Sequence, residues 1–203
     1  MKKILIASTN PGKITEIKNG LQELEKRGIK ILTLNDVIVG DKEPEETGKT
    51  FQENALIKAK FYAGLARLPV ISDDGGLVIP YLNNEPGVKS RRWLGCDASD
   101  QELVDYTLKR LINIPKINRK AYLEACLCFY DPQTSETIYE TEKIAGHIAE
   151  TSVLKIFPGF PYRALLIVEK FNKYYDELTD EEHQQINHRL IALKRLVKKI
   201  SNF

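Results

Sequence analysis

The order of elements in this chain predicts an α/β fold: a two-lobed mixed β-sheet flanked by helices, with a central cleft. Three observations carry that expectation. The chain opens strand, glycine loop, helix, strand, and a second helix and third strand follow. Two long β segments joined by a short polar turn come next. An amphipathic helix closes the chain. No repeat, low-complexity stretch or linker interrupts residues 1–203, so they read as a single domain with two lobes.

Residues 3–8 form a short apolar first strand. Ile14, Ile17, Leu21 and Leu24 then recur at helical spacing, which predicts a helix over 13–26. Gly28 ends it, and 29–34 form the second strand. A unit of this length implies a right-handed crossover and a parallel pair. The acidic loop Asp41-Lys42-Glu43-Pro44-Glu45-Glu46-Thr47-Gly48 follows. Thr50 with Glu53 makes a capping box, so a helix starts there and runs to about Arg67. Its apolar stripe includes Phe51, Ala55, Ala59, Tyr62 and Ala63. Residues 68–71 are the third strand, expected to end in a turn at Asp73-Asp74-Gly75-Gly76. A long loop over 83–97 carries Trp93, a candidate interface residue. Ser99 with Glu102 is a second capping box, opening a helix to about Ile112. Residues 119–130 and 136–150 are the two long β segments. After the loop around Phe157 to Tyr162 comes a strand at 164–168. Thr179 with Glu182 is a third capping box, opening one last helix to about Ile200.

Apolar residues make up 42% of the 203 and charged residues 29%. Thirty basic against 28 acidic side chains leave a formal charge of +2. That balance gives no case for nucleic acid or an anionic membrane as partner. No apolar run approaches the roughly 20 residues of a membrane span. The first apolar run, about six residues, is shorter than a signal h-region. Cys96, Cys126 and Cys128 have no metal spacing, and a reducing cytoplasm suits them.

Two segments carry chemistry. Ser8-Thr9-Asn10-Pro11-Gly12-Lys13 lies where a strand ends and a helix begins, where backbone donors and the helix dipole favour an anion. Its spacing is not that of a P-loop, and an ordinary polar turn would look similar. Asp73-Asp74 follows an apolar strand. Two adjacent carboxylates repel, and one pKa rises unless a cation lies between them. A turn closed by aspartates is the alternative reading. Mg²⁺ usually takes one or two protein carboxylates beside substrate phosphates, and Glu45 or Glu46 with Asp73 or Asp74 would meet that need. Nothing matches a Ser–His–Asp or Cys–His arrangement.

These motifs, in this order, resemble the inosine triphosphate pyrophosphatase family. Residues 8–13 are similar to T-x-N-x-x-K. Glu45-Glu46-Thr47-Gly48 through Lys58-Ala59 is similar to E-E-T-G-x-T-F-x-E-N-A-x-x-K-A. Ser72 to Leu77 is similar to A-D-D-S-G-L, Pro86 to Trp93 to P-G-V-x-S-A-R-[YW], and Glu177 to Arg189 to A-E-L followed by S-H-R. The resemblance implies a homodimer that hydrolyses deaminated purine nucleoside triphosphates (ITP, dITP, XTP) to the monophosphate and pyrophosphate with Mg²⁺. It implies that Ser8, Thr9, Asn10 and Lys13 hold phosphates. Asp74 orients or deprotonates the water, with Glu45, Asp73 and Asp74 around the metal. Gly75, Phe160, Tyr162, His183, His188 and Arg189 are the remaining substrate contacts. The chain departs from the pattern at Pro161, Arg163, His183, Asn187 and Gly75. Those departures leave two alternatives: a non-catalytic nucleotide-binding protein, or a pyrophosphatase of altered base specificity.

Overall fold

The computed structural model describes residues 1–38, 40 and 43–200. Asp41 and Lys42 of the acidic loop lie outside the described residues. The chain divides into two compact units, Met1–Asp74 with Ala125–Glu142 and Arg189–Phe203, and Gly75–Glu124 with Lys143–His188.

In the first unit, β1 (Lys3–Ala7), α1 (Pro11–Lys26) and β2 (Lys30–Thr33) form the expected unit, with β1 and β2 parallel and Leu5 opposite Leu32. β3 (Val70–Ile79) pairs parallel to β1 on its other side, after α2 (Phe51–Ala66). α1 buries Ile17, Leu21 and Leu24 at the predicted spacing. They pack with Ile4, Ile6, Ile71, Leu127 and Phe129 and with Leu193 and Leu196 of α5 (His188–Lys199). α1 and α5 approach closely at Gly20, where a Cβ would stand 2.2 Å from Leu193 Cδ2.

In the second unit, β4 (Glu85–Pro86) pairs antiparallel with the end of β3. α3 (Asp100–Arg110) and residues of β5 (Lys120–Tyr130) and β6 (Thr137–Ile148) enclose a core of Leu77, Ile79, Leu103, Val104, Leu123, Ile144 and Leu166. β7 (Leu166–Val168) joins β6 antiparallel, and β8 (Lys173–Tyr174) joins β7. α4 (Asp180–Ile186) follows. Among the described residues the sheet has eight strands, in the order β2-β1-β3-β5-β6-β7-β8 with β4 on β3. It is mixed, as expected.

All three predicted capping boxes form, at Thr50/Glu53, Ser99/Glu102 and Thr179/Glu182. Two expectations need correction. The Asp73–Gly76 segment is not a turn but the middle of β3. Its glycines answer to packing: a Cβ at Gly76 would stand 1.9 Å from Ser90 Oγ, whose hydroxyl accepts from Leu77 N. The closing helix is two helices, because Asn187 leaves helical geometry at ψ 100°. Trp93 is buried in the second core and donates to Glu85. Cys126 and Cys128 are both buried, and burial pushes the Cys128 thiol up to about 12.

Candidate active site

A strand's side chains alternate between its two faces. Within the first unit, β3 uses that alternation to separate its two carboxylates. Ser72 and Asp74 point toward α2: Ser72 Oγ donates to Ala55 O at 2.6 Å, and Lys58 Nζ lies 3.0 Å from Asp74 Oδ1. Asp73 points toward α1 and α5. Lys13 Nζ is 2.6 Å from Asp73 Oδ2, and Arg189 Nε donates to Asp73 Oδ1 at 2.9 Å. Arg189 also donates to Glu16 of α1.

The two aspartates therefore titrate in opposite directions. Burial alone would push Asp73 up, but Arg189 and then Lys13 overcome it and hold the carboxyl well below its ordinary value of 3.8. Asp74 rises above 3.8, because burial outweighs the attraction of Lys58 and Lys13 and Glu46 adds repulsion. Asp74 Oδ2 is buried and accepts no hydrogen bond. Burial works against the charge of Lys58, yet Asp74, Glu46 and Asp73 together raise its pKa.

The loop at the start of α1 is built as an anion site would be. Asn10 caps the helix by accepting from Lys13 N at 3.1 Å, and Ser8 Oγ accepts from Asn10 N at 3.3 Å. Pro11 occupies the first turn, and no acidic residue enters it. Thr9 is exposed beside them. Asp73 thus ties this loop to β3 through Lys13.

Glu45 is exposed, whereas Glu46 Oε1 sits 3.1 Å from Lys58 Nζ and reaches Asp74 through it. Asn54, buried in α2, holds this loop by accepting from Gly48 N at 2.8 Å. Neither Lys58 nor Asn54 was singled out by chemistry in the sequence, although the pairing of a lysine one helix turn beyond Asn54 with a carboxylate strand is a signal it contained. Both oxygens of Asp73, expected beside a metal, are engaged by cations. Arg189, expected on the purine, places its guanidinium on Asp73 and Glu16; the break at Asn187 starts α5 at His188 and makes this possible.

The other expected substrate contacts fall in the second unit. Gly75 continues β3. Tyr162 is buried, and its hydroxyl donates to Ser90 O at 2.5 Å. Phe160 is partly exposed and lies under the guanidinium of Arg163. His183 meets the Tyr175 ring edge-on, and His188 is buried.

A buried carboxylate with an unsatisfied oxygen, a paired lysine and a helix-start anion loop is a set that can bind polyphosphate and activate water. Known proteins are similar to this chain over nearly its whole length. The dITP/XTP pyrophosphatase of Wigglesworthia glossinidia brevipalpis is 38% identical over 203 residues, which cover 100% of this chain and 98% of that protein. The dITP/XTP pyrophosphatase of Bacillus subtilis (strain 168) is 38% identical over 198 residues, 98% of this chain and 96% of the relative. A HAM1 protein from Coxiella burnetii has the same fold at a TM-score of 0.85 and 31% identity, covering 100% of both chains. With the Ham1 family pattern matching residues 4–199, the chain belongs to the Ham1 family.

Proposed function

We propose that this protein hydrolyses deaminated purine nucleoside triphosphates, dITP and XTP among them, to the nucleoside monophosphate and pyrophosphate. The single observation that carries the chemistry is Asp74: a buried carboxylate with one oxygen on Lys58 and the other unsatisfied. The relatives, named as dITP/XTP pyrophosphatases, support the choice of substrate.

In this reading Lys13, Asn10 and the first turn of α1 hold phosphate oxygens. Asp73 positions Lys13 and Arg189 and contributes no open ligand. Lys58 fixes Asp74 so that Oδ2 faces the attacking water. Asp74 takes the water's proton while the oxygen bonds to the α-phosphorus and the bond to the leaving pyrophosphate breaks. General-base help of this kind is worth about 10²–10⁴-fold.

The donor set also fits a divalent cation. Mg²⁺ seeks oxygen ligands, and Asp74 Oδ2 with Glu46 offers them beside the phosphate loop. When bound, such an ion neutralises charge on the phosphates and on the leaving group. Glu46 replaces Glu45 as the proposed glutamate, because Glu46 is the one drawn toward Asp74. Phe160, Tyr162, His183 and His188 remain the proposed base-side residues, with Tyr162 acting through the backbone of Ser90. Homodimerisation and a cytoplasmic location stay part of the proposal; among the described residues no helix is long and apolar enough to cross a membrane.

The test is pyrophosphate release from a panel of nucleoside triphosphates, with and without Mg²⁺. Metal-dependent release that favours dITP and XTP is expected. Absence of release from every nucleotide would favour a binding protein without catalysis.

A further inference from the structure

The second unit holds two charged groups, Arg163 and Asp176, to which the proposed function gives no role. Arg163 is buried and lays its guanidinium 3.6 Å from the Phe160 ring centre and 4.8 Å from that of Tyr175. The His183 ring stands edge-on to Tyr175 at 5.0 Å. Asp176 follows Tyr175 on the short turn Tyr175–Glu177. Its Oδ2 is buried and has no hydrogen-bond partner.

Burial pushes the Asp176 carboxyl up to about 6, and Arg163 offsets only part of that. The elements packed on this turn leave little else to act on it. Pro161–Ala164 brings Arg163, and β7 is wholly apolar. α4 brings His183 against the neighbouring tyrosine. A buried acceptor without a donor is costly to maintain, and such groups in native proteins call for an explanation. A ligand N–H would satisfy it.

Resting on the nucleotide reading above, we propose that Asp176 is a base-specificity residue whose carboxylate accepts the N1–H of a 6-oxopurine and turns adenine away. A 6-oxopurine in its lactam form presents a donor at N1. Adenine presents a lone pair there, which would face the lone pairs of the carboxylate. Phe160 is partly exposed and shares with Asp176 the Arg163 guanidinium, which makes its ring the nearby aromatic surface for a base. A site built to pair a polar group discriminates strongly against a ligand that leaves it unpaired.

The test is equilibrium binding of IMP and AMP to the full chain by calorimetry between pH 5 and 8, for wild type and Asp176→Asn. Wild type is expected to prefer IMP by about tenfold or more at pH 7.5. The preference is expected to shrink below about pH 6, where the protonated carboxyl can donate to adenine N1. In Asp176→Asn the amide can both accept and donate, so the preference collapses toward unity and loses its pH dependence. The wild-type pH profile needs no variant and guards against a folding defect in the substitution. A preference unchanged by Asp176→Asn would overturn the proposal. So would pH dependence that persists in the variant, or failure of IMP to bind. Wild type that reads the base this way but releases no pyrophosphate would overturn the hydrolysis reading and leave this one standing.

Discussion

Asp73 and Asp74 are consecutive residues of one strand, yet they answer to different helices and opposite charge balances. Asp73 is neutralised twice, by Lys13 of α1 and Arg189 of α5. Asp74 meets Lys58 of α2 and keeps one oxygen unsatisfied. The pleat of β3 makes this separation. One carboxylate becomes a strut that holds the loop before α1, and the other keeps an oxygen without a partner.

Asp74→Asn is expected to cut pyrophosphate release by about 10²–10⁴-fold while the fold survives. The sign of the stability effect follows from the raised pKa of Asp74. A raised value gives stability that is present below 3.8 and lost as pH rises through the folded value, so ionised Asp74 costs stability at neutral pH. Against that, the variant takes from buried Lys58 its strongest counter-charge and leaves it Glu46 and Asp73, so its melt at pH 7.5 should stay close to that of wild type. In wild type, kcat/KM should fall on the acid side at a pH above 3.8, as the base takes up its proton. Circular dichroism melts and a pH–rate profile check both; near-normal turnover in the variant would remove Asp74 from its role.

Arg189→Met should unfold more easily by about 3–5 kcal/mol, because it strands the buried Asp73 and Glu16 carboxylates. Arg189→Lys should recover only part of that, since one ammonium cannot reproduce the fork of a guanidinium. The stability that Asp73 gives is in place above 3.8 and lost as pH falls through its lowered folded value. With Arg189 gone that loss should begin at a higher pH. Urea unfolding between pH 3 and 7 reads both effects. An arginine that only touched substrate would leave those curves unmoved.

Glu46→Gln and Glu45→Gln separate two neighbours of like chemistry. Glu46 lies within 3.1 Å of Lys58, and Glu45 is exposed. The first change should raise the Mg²⁺ concentration needed for half-maximal rate by about tenfold, an effect in the range seen when a metal site loses a supporting carboxylate. The second should leave the Mg²⁺ titration unchanged. Equal effects would return Glu45 to the site.

Gly76→Ala and Gly64→Ala should move stability in opposite directions. At Gly76 a Cβ would meet Ser90 Oγ at 1.9 Å and Ser90 Cβ at 2.6 Å, so the change should cost about 1–3 kcal/mol. Gly64 is exposed within α2 with nothing near its missing Cβ, so alanine there should add about 0.5–1 kcal/mol. Chemical denaturation of the two variants gives the comparison directly.

By itself the sequence determined the order and type of nearly every element, because those rest on local signals. Ile17, Leu21 and Leu24 at helical spacing mark a helix, and a threonine or serine three residues before a glutamate marks a helix start where a helical pattern follows; Thr137 and Glu140, with the same spacing, lie within β6. That the first loop and the aspartates belong together was legible from their resemblance to one family's motifs, but that β3 pairs with β1 and so puts Asp73 on Lys13 is decided by the strand order. Only the tertiary structure decided which way each charge faces. The double glycine after Asp74 signals a turn locally, but the close approach of Ser90 claims it for a strand, and the strand then splits the two carboxylates. The break at Asn187 and the turn of Arg189 onto Asp73 and Glu16 depend on partners 116 and 173 residues away. Electrostatic partnership across such distances leaves no trace in local periodicity, and it is what decides which of two neighbouring acids is held ionised and which is left to take a proton.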